Sequence, residues 1–222
     1  MRLAYRAVRV ERSMHPDWLS NAYLAWDETR REAFFVDSGA PLGALVDVVE
    51  RERLTVTALL TTHSHHDHVA GDDELRARFG VESARSAPWA EAIPTPGHSD
   101  DHVTFVVDGL CFSGDLLFKD AVGGGDAATI RASVLRLLEL PDETRVLPGH
   151  TDETTIGRER AENPFLRYWL GAAAALDEPC RVGGEEATLL VWSPDYDGKG
   201  KALVRLAGGE RIVGGSRVER ER

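Results

Sequence analysis

TTHSHHDHVAG, residues 61–71, holds four of the chain's eight histidines, His63, His65, His66 and His68, together with Asp67. It follows TVTALL, 55–60, a β-branched and aliphatic run that reads as a strand, and precedes DDELRARFG, 72–80, which reads as a short helix stopped by Gly80. Residues two apart in an extended segment point the same way, so His63 and His65 make one pair of side chains. Asp67 and His68 make a second as the chain turns into a helix, with Ser64 and His66 as spacers. A zinc ion takes about four ligands at ~2.0–2.2 Å from nitrogen or oxygen, so this segment alone cannot complete two shells. Further ligands have to come from distant parts of the chain.

Three stand out: His98 in PTPGHSDD, Asp115 in FSGDLLF and His150 in VLPGHTDET. Each lies in a loop after an apolar segment, and Gly97, Gly114 or Gly149 precedes it, where the backbone can turn sharply and carry a side chain over a sheet edge.

Outward from these residues the elements alternate. RLAYRAVRV (2–10), AYLAW (22–26) and REAFFVD (31–37) read as strands, and PLGALVDVVERERL (41–54) as a helix behind Pro41. VTFVV (103–107) and LCFS (110–113) read as a hairpin around Asp108-Gly109, and ATIRASVLRLLEL (128–140) is amphipathic. RVLP (145–148) reads as a short buried strand and ETTIGRERAENPFLRYWL (153–170) as one last long helix with a break at Pro164. From about residue 181 EATLLVW, KALVRLA and RIVGG read as β hairpins separated by PDYDGKG and AGGE, and RVERER (217–222) as an unordered charged tail.

The chain's 222 residues, 42% hydrophobic, suffice for one sizeable core. A net charge of −11 argues against a nucleic-acid partner, and no apolar run has signal-peptide or membrane-spanning character, so the expectation is a soluble, cytoplasmic protein without a membrane partner. Cys111 and Cys180 make no disulfide framework and read as inert packing.

The order H-x-H-x-D-H, GH, GD, GH resembles the metallo-β-lactamase fold, and in detail the glyoxalase II-like (hydroxyacylglutathione hydrolase-like) branch, over residues 20–170. The resemblance implies an α/β chain, a four-layer αββα sandwich over 1–180 with 181–222 as a small C-terminal β appendage packed on it. It implies His63, His65 and His98 on one metal, Asp67, His68 and His150 on a second, and Asp115 bridging them, with Asp67 and Asp115 central to catalysis. The cofactors would be two divalent ions, zinc first, with iron or manganese as alternatives. FVDSG resembles the family's early Asp-x-Gly turn and makes Asp37 a support for the metal loops. Asp115 differs from the Cys or Ser of true β-lactamases, and His65 from the Glu of the diiron flavoprotein branch, which disfavours antibiotic hydrolysis. TTIGRERAENPF, 154–165, is similar to the segment after the last metal histidine in short glyoxalase II-like hydrolases.

The activity so implied is hydrolysis of a small-molecule acyl-thiol by a hydroxide shared between the metals, the thiolate leaving unaided because its conjugate pKa is ~8.5. Glutathione, mycothiol and other thiols stay open as carriers, since the chain is expected to lack the helical C-terminal domain of classical glyoxalase II. Lactone or ester hydrolysis by the same core, one-iron persulfide oxidation, and metal binding without catalysis are the rival readings. Only 30 positions separate His68 from His98, where relatives place additional strand structure, so the chain reads as shortened there. His15, Asn21, Lys119, Tyr168 and Trp169 read as loop, packing or solvated residues, His102 as a supporting residue or a strand start, and Gly123–Gly125 as a flexible run.

Overall fold

The structure, a computed structural model, describes residues 8–87, 89–195 and 198–220. Residues 2–7 of the expected first strand, 196–197 of PDYDGKG and the terminal 221–222 lie outside them.

The first half runs β1 (Val8–Met14), β2 (Asn21–Asp27), β3 (Glu32–Val36), α1 (Gly43–Glu52), β4 (Thr55–Leu60), α2 (His66–Val69), α3 (Asp72–Phe79) and β5 (Ser83–Ala84). Its strands form one sheet in the order β1-β2-β3-β4-β5, antiparallel up to β3 and parallel from β3 to β5. The second half runs β6 (Glu91–Pro94), β7 (Val103–Val107), β8 (Leu110–Gly114), a small β9 (Leu117–Phe118) and β10 (Ala121–Val122) hairpin, β11 (Gly125–Asp126), α4 (Ala127–Leu137), β12 (Arg145–Pro148), β13 (Thr154–Thr155), α5 (Ile156–Glu162) and α6 (Pro164–Trp169). A second sheet has the order β13-β12-β8-β7-β6, with β12 and β8 parallel.

Alternation along the strands builds the layers. In β3, Phe34 and Val36 face the second sheet, where they meet Phe105, Phe112 and Leu147, while Ala33 and Phe35 face α1 and α3 with Leu45, Val49 and Leu75. Both faces of the strand are buried, as a continuous apolar run requires. Removing the fully buried Phe34 ring would cost ~3–5 kcal/mol in transfer and cavity terms. On the far side α4, α5 and α6 cover the second sheet through Ile130, Val134, Ile156, Phe165 and Leu166. The result is a mixed α/β sandwich of helices, two sheets and helices.

The C-terminal strands are β14 (Glu178–Val182), β15 (Glu185–Ser193), β16 (Lys201–Leu206), β17 (Gly209–Gly214) and β18 (Val218–Arg220). They form a third sheet, β11-β17-β16-β15-β14-β18, which runs through residue 180 and recruits β11 from ahead of α4. Leu190, Val191, Leu203 and Ile212 pack into the same cluster as α4 and α6. The expected unordered tail is corrected over 218–220, which pairs with β14, while Arg220 lies 4.3 Å over the Trp192 ring.

The long last helix expected from ETTIGRERAENPFLRYWL is two helices. Asn163, with extended φ −61 and ψ 120, ends α5 and caps α6, its Oδ1 accepting the N–H of Phe165 at 3.0 Å, and Pro164 takes the first position of α6. The buried Asn163 amide also donates to Ala121 O at 3.1 Å and Glu159 Oε2 at 2.9 Å. Asn163→Ala removes a cap and two hydrogen bonds to buried acceptors, so thermal unfolding should show a loss of about 2–3 kcal/mol, lowering Tm by roughly 5–10 °C.

Candidate metal centre

The centre forms where strand ends of the two sheets meet. In the first sheet Val36 pairs with Leu60, which places Asp37, one residue past β3, beside the segment leaving β4. The Asp37 carboxylate accepts Thr62 N–H at 2.8 Å, Thr62 Oγ1–H at 2.8 Å and His68 Nδ1–H at 2.9 Å. Asp37 has φ 55, a left-handed conformation costing of order 1 kcal/mol, and these three bonds hold it there. The support role expected of Asp37 thus has definite geometry.

In the second sheet Pro148 lies opposite Gly114, so Asp115 and His150 leave neighbouring parallel strands side by side. Gly114, φ 49, makes the turn expected of it. Gly149 serves through space rather than a positive φ: a Cβ there would stand 2.2 Å from Asp115 Oδ1 and 2.7 Å from His68 Cε1. His98 arrives from the β6–β7 connection, with Nδ1 donating to Gly124 O at 3.2 Å.

All seven residues expected as ligands come together. His65 Nδ1 lies 3.0 Å from both His63 Nε2 and His98 Nε2. One proton cannot serve three converging ring nitrogens, whereas one cation can. Asp67 Oδ2 is 3.5 Å from His150 Nε2 and 3.9 Å from His68 Nε2. Asp115 stands between the groups, 3.4 Å from His68 Nε2, 3.5 Å from His98 Nε2 and 3.4 Å from His150 Nε2. Ligand atoms within 4.8 Å of one another define three sets: His63, His65 and His98; His63, His68 and Asp115; Asp67, His68 and His150.

The donor chemistry fits divalent cations. His68 Nε2 and Asp115 Oδ1 are buried with no hydrogen-bond partner among the described residues, an expensive arrangement unless something between them satisfies both. His68, His98 and His150 each turn Nδ1 toward an oxygen, of Asp37, Gly124 and Trp18 respectively, which leaves Nε2 directed into the centre. Burial pushes His63 down to about 2 and also lowers His98, so both rings are neutral donors of a lone pair at pH 7. Burial disfavours charge on His68 as well, but Asp115 and Asp37 outweigh it and hold the ring well above the ordinary imidazole range. Burial would raise Asp115, yet the His68 and His150 rings hold its carboxyl well below the usual range.

One side of the centre is open: His65 and His66 are exposed and Asp67 half-buried, whereas His63, His68 and His150 are buried. Trp18, 40% exposed, borders that side, stacked on His15 with ring centroids 4.1 Å apart and edge-on to His66 at 5.3 Å.

Several residues read as mere loop or packing do more. Asn21 Nδ2 donates to Pro148 O and Thr151 O, both at 2.9 Å, and Tyr23 O–H to Pro148 O at 2.7 Å, clamping the loop that carries His150. His15 Nδ1 accepts Trp18 N–H at 3.2 Å, and Trp18 O in turn meets His150. Proximity of HPDWLSN to the cluster is a tertiary fact with no signal in spacing. The flexible reading of Gly123–Gly125 is corrected: a Cβ at Gly123 would stand 2.0 Å from Asp115 O, and β11 pairs with β17. Tyr168 and Trp169 pack in the core as expected, and Lys119 is exposed beside a cleft shared with Arg12, Tyr23 and Arg145.

The chain matches the family model of the metallo-beta-lactamase superfamily in two pieces, residues 15–93 and 89–150. It is 33% identical over 206 residues to the hydroxyacylglutathione hydrolase of Alkalilimnicola ehrlichii, covering 75% of this chain and 78% of that protein. It is 28% identical to hydroxyacylglutathione hydrolase GloC of Haemophilus influenzae, whose 196 aligned positions take in 92% of that protein but 66% of this chain. Among solved structures, that of a protein crystallised in a di-iron-bound form superposes with a TM-score of 0.61 at 31% identity, over 69% of this chain and 98% of that one. The combined spacing, architecture and family match lead to one conclusion: the chain belongs to the metallo-β-lactamase superfamily.

Proposed function

We propose that this protein is a dinuclear metal-dependent hydrolase that cleaves a thioester of a low-molecular-weight thiol. The observation that carries the reading is the Asp115 carboxylate, buried and 3.4–3.5 Å from ring nitrogens of His68, His98 and His150, so that it belongs to both ligand groups. His63, His65 and His98 would hold one cation, Asp67, His68 and His150 the other, with Asp115 shared. When bound, the cations supply Lewis acidity, which lowers the pKa of water to ~7 and polarises a carbonyl. Zinc suits this nitrogen-rich donor set, and the di-iron form of a similar protein makes iron the next choice.

The chain's own residues supply orientation. Asp37, Gly124 O and Trp18 O accept from Nδ1–H of three imidazoles, so each Nε2 is the atom turned to the centre, and a cation bound there would displace the Nε2 proton of His68. Asp67 and Asp115 bring two negative charges that offset repulsion between cations. The substrate reaches the centre from the exposed His65 and His66 side. Neither cysteine is placed to act as a nucleophile, since both are buried and burial pushes the Cys111 thiol up to about 12. A thiolate leaves without a proton donor, because its conjugate pKa is ~8.5, and two relatives are hydroxyacylglutathione hydrolases by name, which favours an acyl-thiol over a lactone.

Elemental analysis after loading with zinc, iron or manganese should find two metals per chain, and less than one overturns the dinuclear reading. The loaded protein should hydrolyse S-lactoyl or S-formyl thiols. Turnover of a lactone or a β-lactam alone, or oxygen consumption with a persulfide, would replace the proposal by the corresponding activity. Asp115→Ala should lose one metal and at least ~100-fold in kcat/KM while circular dichroism stays unchanged, and full activity in that variant refutes the shared role. Asp37→Ala, which frees His68 Nδ1, should weaken metal binding by about 10–100-fold in a calorimetric titration.

A further inference from the structure

We infer that His102, outside both ligand groups, is the positioning residue that sets Asp115. Its ring is buried at 1% exposure. Its Nε2 accepts the backbone N–H of Asp115 at 3.0 Å, and its Nδ1 lies 2.9 Å from Thr95 Oγ1. A backbone amide can only donate, so Nε2 carries no proton and the neutral ring holds its proton on Nδ1, donating to Thr95. Thr95 Oγ1 lies 3.1 Å from Thr104 Oγ1, which gives the threonine hydroxyl an acceptor of its own. The tautomer of His102 is therefore set by a buried chain with an amide at one end and two hydroxyls at the other.

The backbone fixes the ring from both sides. Thr95 N–H donates to His102 O at 2.9 Å, and Val103 N–H donates to Thr62 O at 2.8 Å, which ties this corner to the residue before His63. A Cβ at residue 114 would stand 2.6 Å from His102 Nε2, so glycine there is what lets the Asp115 amide reach the ring. The carboxylate on that residue has to serve both halves of the centre, and a displacement of a few tenths of an ångström favours one half over the other. His102 acts on the centre through the Asp115 backbone and belongs to none of the three ligand sets.

The inference rests on the metal-centre reading only in its second arm. The first arm is the ¹⁵N signature of the His102 ring in the metal-free protein, which should show a proton on Nδ1 and a bare, hydrogen-bonded Nε2; a proton on Nε2 overturns the inference. In the second arm, zinc titration by calorimetry, His102→Leu should weaken one of two zinc ions by about tenfold or more, whereas His102→Gln, whose Oε1 can accept from the same amide, should stay within about threefold of the wild type. Equal zinc affinity in the wild type and the Leu variant overturns the inference. If the Leu variant does not fold, Thr95→Val removes the acceptor of Nδ1–H while the Asp115 amide keeps Nε2 bare, so the ring loses one of its two anchors and one of the two zinc ions should weaken by about threefold or more; unchanged zinc affinity there overturns the inference as well. A wild-type protein that binds no zinc defeats the proposed function, while the first arm still decides the role of His102.

Discussion

A buried carboxylate shared by three imidazoles is the constraint around which the rest of this molecule is arranged. Asp115 sits at 6% exposure, and an unpaired anion at that depth would cost several kcal/mol. Its neighbours are correspondingly specific: His68, His98 and His150 around the carboxylate, His102 at its amide, and glycines 114, 123 and 149 where any side chain would collide. The strand ends of two face-packed sheets have to come together at one end for these groups to converge, and the inter-sheet core of Phe34, Phe105, Phe112 and Leu147 holds the sheets in that packing.

The two sheets contribute different kinds of part. The first supplies a contiguous segment, residues 61–68, braced by Asp37 at the end of the neighbouring parallel strand. The second supplies three separate strand-end loops. Parallel pairing of β8 with β12 makes Asp115 and His150 neighbours although 35 positions divide them, and Gly149 N–H donating to Gly114 O at 2.8 Å locks that pairing at the centre. Residues 15–23 then close the structure from outside, as Asn21 and Tyr23 hold the His150 loop and Trp18 O meets the His150 ring.

The 30 positions from His68 to His98 supply α3, β5 and β6. The third sheet packs against α4 and α6 through Leu190, Leu203 and Ile212. Its edge strand β11 directly follows Gly124, whose carbonyl meets His98 Nδ1.

Periodicity marked the strands AYLAW, TVTALL and VTFVV and the helix stopped at Gly80, because a side-chain alternation or a stop residue is a local property of the chain. The seven candidate ligands were legible for a related reason: a histidine or aspartate behind a glycine at the end of an apolar run is a local pattern, and the order of such patterns resembles one family. Asn163 showed where local reading stops, since Pro164 marked a break but the buried amide that ends one helix and starts the next acts through Ala121 and Glu159. The GGG run and the tail at 218–220 were misread because their partners, Asp115 and β14, are remote in sequence. The amino-acid sequence by itself determined which side chains can bind a cation and where the chain must turn. Only the tertiary structure decided which nitrogen each imidazole offers and that His15, Asn21, Tyr23 and His102 support the centre, because a hydrogen bond is set by a distance of about 3 Å in space and leaves no periodic trace along the chain.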